Sequence, residues 1–85
     1  MTAAGGGEQA LGFYFRPGCH LCDEMWQQLQ MLQARHGFGL IAVDVDQDPA
    51  LRARYGHLVP VLAAGDTVIC HYFLDQDALA RYLAS

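Results

Sequence analysis

Lysine is absent from this chain: its five basic residues are all arginines, scattered along the sequence against nine carboxylates, for a net charge of −4. Phosphate binding needs clustered Lys and Arg, so this balance argues against a nucleic-acid partner. No apolar run approaches the ~18 residues that a membrane span requires, so no membrane partner is expected. The opening Met1-Thr2-Ala3-Ala4-Gly5-Gly6-Gly7-Glu8 has neither the cationic start nor the apolar core of an export signal. A cytoplasmic location is therefore the expectation. There are only three cysteines, an odd number that cannot all pair internally, which argues against a stabilising disulfide framework and for reduced thiols.

What is present describes one compact domain. Apolar residues make up 53% of the 85 positions and charged ones 16%, too rich in apolar side chains for a disordered chain. Residues 1–9 are Gly-rich and without periodicity, and read as a flexible tail ahead of a domain over 10–85. A monomer is expected. Leu11-Gly12-Phe13-Tyr14-Phe15 is short and aromatic, bounded by Arg16-Pro17-Gly18, and reads as a buried strand. From Leu21 to about His36 the apolar positions Cys22, Met25, Trp26, Leu29 and Leu32 recur at three- and four-residue steps, which predicts a helix ended by Gly37 as a left-handed cap. Residues 39–45 form a second strand, parallel to the first because a helix joins them. Asp48-Pro49 starts a second helix that Gly56 stops. Residues 60–64 and 67–73 flank the two-residue turn Gly65-Asp66 as an antiparallel hairpin. Asp75 caps a last helix showing Ala78, Leu79, Tyr82 and Leu83 to the core. The order is β-α-β-α-β-β-α, an α/β fold with helices on both faces of a four-stranded mixed sheet.

The chemistry is carried by Cys19-His20-Leu21-Cys22, at the junction of the first strand and first helix. A thiol at a helix start meets amides that have no carbonyl partner and the positive end of the helix dipole. Cys22 lies one turn on, on the same face, so the outer sulfur is placed to attack and the inner one to resolve. Lowering a thiol pKa from roughly 8.5 to below neutrality takes about 2 kcal/mol. An exposed helix terminus supplies only about 0.3–1 kcal/mol. Hydrogen bonds from the Leu21 and Cys22 amides, with positive charge from Arg16 or protonated His20, make up the difference. In the blander account, Arg16 is a solvated strand-end charge and His20 an exposed first-turn residue.

The order of elements, the Cys19-x-x-Cys22 pair after the first strand, and Val59-Pro60 opening the third strand resemble the thioredoxin fold in its short glutaredoxin-like form. The similarity is greatest to small bacterial glutaredoxin-like proteins, on the segments Tyr14 to Glu24, Val43-Asp44-Val45-Asp46 and Tyr55 to Leu62. The resemblance implies a cis bond before Pro60 and a substrate that pairs as a short strand with the Val59 backbone. It also implies glutathione as a candidate reductant. Here the chain departs from the family: Phe73-Leu74-Asp75-Gln76-Asp77 lacks the glycine pair that holds the glutamyl end of glutathione, so glutathione use is open and no bound cofactor is expected. His20 and Leu21 replace the usual residues between the cysteines, and residues 11–15 lack the buried acid of thioredoxin.

The expected function is thiol–disulfide exchange by Cys19 and Cys22 with a protein or small-molecule disulfide, recycled by an outside reductant. The alternative is a non-catalytic binding module, or a zinc or iron–sulfur carrier on the same thiols. Cys70 lies in an alternating strand and reads as a small buried hydrophobe. Neighbours on a strand face opposite ways, so Cys70 and His71 cannot both join one metal ion, and no metal site is expected. Asp44, Asp46 and Asp48 alternate as calcium ligands do, but lack the glycine and twelfth-position glutamate of such a loop and read as strand end and helix cap. Met25 and Trp26 read as core, and nothing assigns chemistry to His36 or His57.

Overall fold

The structure is a computed structural model that describes residues 10–84; the tail expected over 1–9, and Ser85, lie outside the described residues. Strand β1 (Ala10–Phe15) leads into helix α1 (His20–His36), then β2 (Gly39–Asp44), α2 (Pro49–Tyr55), β3 (Val61–Ala64), β4 (Thr67–His71) and α3 (Gln76–Ala84). The sheet order is β2-β1-β3-β4, with β1 parallel to β2 and antiparallel to β3, and β3 antiparallel to β4. The element order is the one the sequence predicts.

Local signals explain the boundaries. Helix α1 ends where Gly37 takes φ 75°, the left-handed conformation that a residue without a Cβ adopts at little cost, and its amide closes on the Gln33 carbonyl. The Asp48 carboxylate accepts from the amides of Ala50 and Leu51 and so caps α2. Asp75 does the same for α3 through the Ala78 amide. Gly56, expected to stop α2, sits at its C-cap without the left-handed turn of Gly37: its φ is −55°, ordinary helical backbone, its amide donates to the Arg52 carbonyl, and a Cβ there would strike that carbonyl.

Alternation along the strands sends side chains to two faces. Leu11, Phe13, Leu62 and Cys70 pack with Cys22, Met25 and Leu29 of α1 and Leu79 of α3; on the other face Val45, Val61 and Ala63 pack with Tyr55 of α2. Two strands end earlier than the sequence predicts. β2 stops at Asp44, because its carboxylate accepts from the Asp46 amide and turns residues 45–47 into a 3₁₀ turn, which drops Val45 into the second cluster. β4 stops at His71, and it is irregular: Leu62 pairs with Cys70 but Ala63 with Val68, leaving Ile69 as a bulge. The slip puts Ile69 beside the first cluster together with Cys70 and leaves Val68 exposed.

Cys70 is buried, as its strand position implies, and His71 beside it is exposed. Burial pushes the Cys70 thiol above its ordinary pKa; a hydrogen bond with the Asp75 backbone partly offsets this and the Asp75 charge adds to it. A raised folded-state value means that the unfolded chain ionises first, so this group's contribution to stability is complete below about pH 8.5 and is lost as pH rises past that. Iodoacetamide at neutral pH should therefore leave Cys70 unmodified in the native protein and label it in denaturant, read by mass spectrometry. Denaturant titrations should show wild type losing stability relative to Cys70→Ala as pH climbs above about 8.5. Gly56→Ala, which must displace the Arg52 carbonyl, should destabilise the chain by about 1–3 kcal/mol in the same titration.

Candidate functional site

The sulfur pair sits where β1 hands over to α1. Cys19 is the N-cap of α1, with extended backbone (φ −92°, ψ 110°), and its Sγ accepts the Cys22 amide at 3.1 Å. A cysteine sulfur thus takes the role that a Ser or Asp oxygen plays at other helix starts. Cys19 and Cys22 are joined by a disulfide, with Cα atoms 5.1 Å apart. Their surroundings differ. Cys22 is 3% exposed and belongs to the core cluster, whereas Cys19 is half-buried and only packs against it.

The candidate helpers are engaged by carboxylates. Arg16 Nε lies 3.1 Å from Asp46 Oδ1, and His20 Nε2 lies 3.2 Å from Glu24 Oε2, one turn along α1. His20 is 86% exposed, so solvent screens its contact with Glu24. Of the two amides expected at the outer sulfur, Cys22 supplies the bond. Asp46 is the partner the sequence analysis did not connect to Arg16; the signal was its place between two capping aspartates, Asp44 and Asp48, in a short turn that leaves its own side chain free.

The bond between Val59 and Pro60 is cis. Val59 packs against both core clusters, which places it at the junction of the two faces. It precedes β3, and among the described residues its amide and carbonyl have no hydrogen-bond partner. Unpaired backbone of that kind takes a partner from water or from an added strand. Tyr72 went unnoticed in the sequence: its amide donates to the Pro60 carbonyl at 2.9 Å and its hydroxyl to the His57 carbonyl at 2.8 Å. Nothing in residue spacing announces a contact across fifteen positions.

Two open grooves flank this end of the sheet. One of about 300 Å³ is lined by Phe13, Phe15, Cys22, Asp23, Trp26 and Ala42, with the Trp26 ring centred 5.0 Å from that of Phe13. The other, of about 510 Å³, is lined by Arg16, Pro49, Arg52, Ala53, Gly56 and His57. Among the described residues no group of three or more His, Cys, Asp or Glu side chains is placed to hold a metal ion. No helix among them is long and apolar enough to cross a membrane.

The family described as Glutaredoxin-like domain (DUF836) matches residues 10–84. An uncharacterized protein of Mycobacterium tuberculosis, Rv0508, is 30% identical over 74 residues, which cover 81% of this chain and 76% of that protein. The solution structure of protein Ne2328 from Nitrosomonas europaea superposes with a TM-score of 0.77 at 40% identity, over 88% of this chain and 91% of that one. Thioredoxin 1 of Thermosipho africanus superposes with a TM-score of 0.61 at 17% identity, over 88% and 94% of the two chains, a likeness of fold. A sulfur pair at bonding distance on this fold fits a redox role. The chain has the thioredoxin fold and belongs to the glutaredoxin-like domain (DUF836) family.

Proposed function

We propose that this protein is a thiol–disulfide oxidoreductase in which Cys19 is the nucleophile and Cys22 the resolving thiol. The observation that carries the reading is the asymmetry of the pair: one sulfur half-exposed at the cap of α1 and bonded to an amide, the other buried one turn away and within bonding reach. In the reduced protein the Cys19 thiolate attacks one sulfur of a substrate disulfide. A Cys19–substrate disulfide forms and the first substrate thiolate leaves, taking a proton from solvent. Cys22 then gives up its proton and attacks the Cys19 sulfur, which expels the second substrate thiol and leaves Cys19–Cys22 oxidised. Two electrons have passed from the protein dithiol to the substrate disulfide. An external dithiol or glutathione returns them by the reverse exchange.

The thiolate is held by the Cys22 amide and the start of α1. Arg16 and His20 are secondary in this reading, since Asp46 offsets the Arg16 charge and His20 lies out in solvent beside Glu24. The unpaired Val59 backbone before Pro60 receives the substrate as an added strand in this reading, which favours a protein disulfide as substrate. No bound cofactor takes part, and cycling of the pair calls for a reducing compartment such as the cytoplasm.

With dithiothreitol as electron donor and insulin as disulfide substrate, Cys19→Ser should abolish turnover. Cys22→Ser should accumulate a mixed disulfide on Cys19, detected by mass spectrometry as an added substrate mass that dithiothreitol removes. Near-wild-type turnover in both variants would refute the assignment. So would stoichiometric zinc or an iron–sulfur absorption band in protein purified under reducing conditions.

A further inference from the structure

Beyond the end of β4 the backbone takes an unusual course. Tyr72 has φ 66°, the left-handed region that a bulky L-residue enters only at a cost and glycine enters freely. The Phe73 amide donates to the His71 carbonyl at 2.7 Å, closing a three-residue turn around Tyr72. The His71 ring meets the Tyr72 ring edge-on at 4.7 Å. A residue persists in such a conformation when its surroundings over-determine it, and an outlier of this kind next to a site is a reason to ask what it does there. Glycine would make the turn more cheaply, so the answer lies in the side chain.

That side chain reaches the segment before β3. The Tyr72 hydroxyl donates to the His57 carbonyl at 2.8 Å while the Tyr72 amide donates to the Pro60 carbonyl at 2.9 Å. One residue thereby fastens both ends of a segment whose middle, Leu58 and Val59, contains the unpaired backbone groups. Fixing backbone before association reduces the ordering that binding must bring about. The left-handed turn aims the amide and the phenol at the same short segment.

We propose that Tyr72 is a positioning residue that holds the Val59 backbone ready to pair with an extended polypeptide, so that the protein favours disulfides carried on peptide chains over small disulfides. This rests on the thiol–disulfide reading above. Removing the hydroxyl frees the His57 end of the segment and leaves the ring and the turn in place. A substrate that pairs with the Val59 backbone feels the loss, whereas one with no peptide backbone to pair is affected far less.

The test uses the full chain with two substrates, insulin and 2-hydroxyethyl disulfide. For Tyr72→Phe, kcat/KM for insulin should fall about five-fold relative to that for the small disulfide, the size of one neutral hydrogen bond, and the fall should lie in KM. Exchange of the Leu58 amide, which donates to the Tyr55 carbonyl at 2.8 Å, should quicken in the reduced protein, which reads the fastening without turnover. Equal losses on the two substrates, an unchanged insulin KM beside an active wild type, or unchanged exchange at Leu58 would each overturn the role of Tyr72. A wild type inactive on both disulfides would overturn the thiol–disulfide reading and, with it, the substrate preference.

Discussion

The hydrogen bond from the Cys22 amide to the Cys19 sulfur joins the start of a helix to the chemistry of a thiol, and most of the site is arranged around it. A helix start carries amides without partners, and they must be met by something. Here they meet sulfur. In the proposed chemistry the bond that caps α1 also favours negative charge on the reduced Cys19, so one contact would serve local structure and reactivity together. The rest of the fold keeps it in place: β1 lies inside the sheet between β2 and β3, and Met25 and Leu29 anchor α1 with almost no exposure.

That arrangement separates the two sulfurs by environment as well as by position. Cys22 is set into the cluster that includes Phe13, Leu62 and Leu79, so solvent reaches the pair from the Cys19 side. The side chains nearby face carboxylates, Arg16 beside Asp46 and His20 beside Glu24, and solvent-exposed contacts of this kind contribute little net field. Backbone dipoles at the helix start are left as the main source of thiolate stabilisation in the proposed chemistry. They are part of the fold and cannot rotate away as a side chain can.

Much of this was legible in residue order. The three- and four-residue spacing of Cys22, Met25, Leu29 and Leu32 marked α1, the Asp48-Pro49 pair marked the start of α2, and Gly37 marked the end of α1. The errors lie where a side-chain cap, a bulge or a tight backbone turn redirects the chain. Asp44 turns β2 into a 3₁₀ turn one residue early, the Ile69 bulge shifts the register within β4, and the turn at Tyr72 ends β4 before Tyr72 and Phe73. An apolar run signals burial and says nothing of where a carboxylate will cap or where a strand will slip by one residue.

Spacing by itself determined the Cys19-x-x-Cys22 pair at a strand-to-helix junction, the order of the elements and the alternation that buries Cys70 and exposes His71, because each depends on residues close together in the chain. Tertiary structure decided which charges meet and which backbone is left open. Asp46 takes Arg16 thirty residues away, and Tyr72 reaches back to His57 and Pro60 to bracket Val59. These contacts exist only once the crossover from β1 to β2 and the return of β4 along β3 have brought distant segments to one end of the sheet. Their geometry is a property of the assembled sheet, which no local pattern encodes.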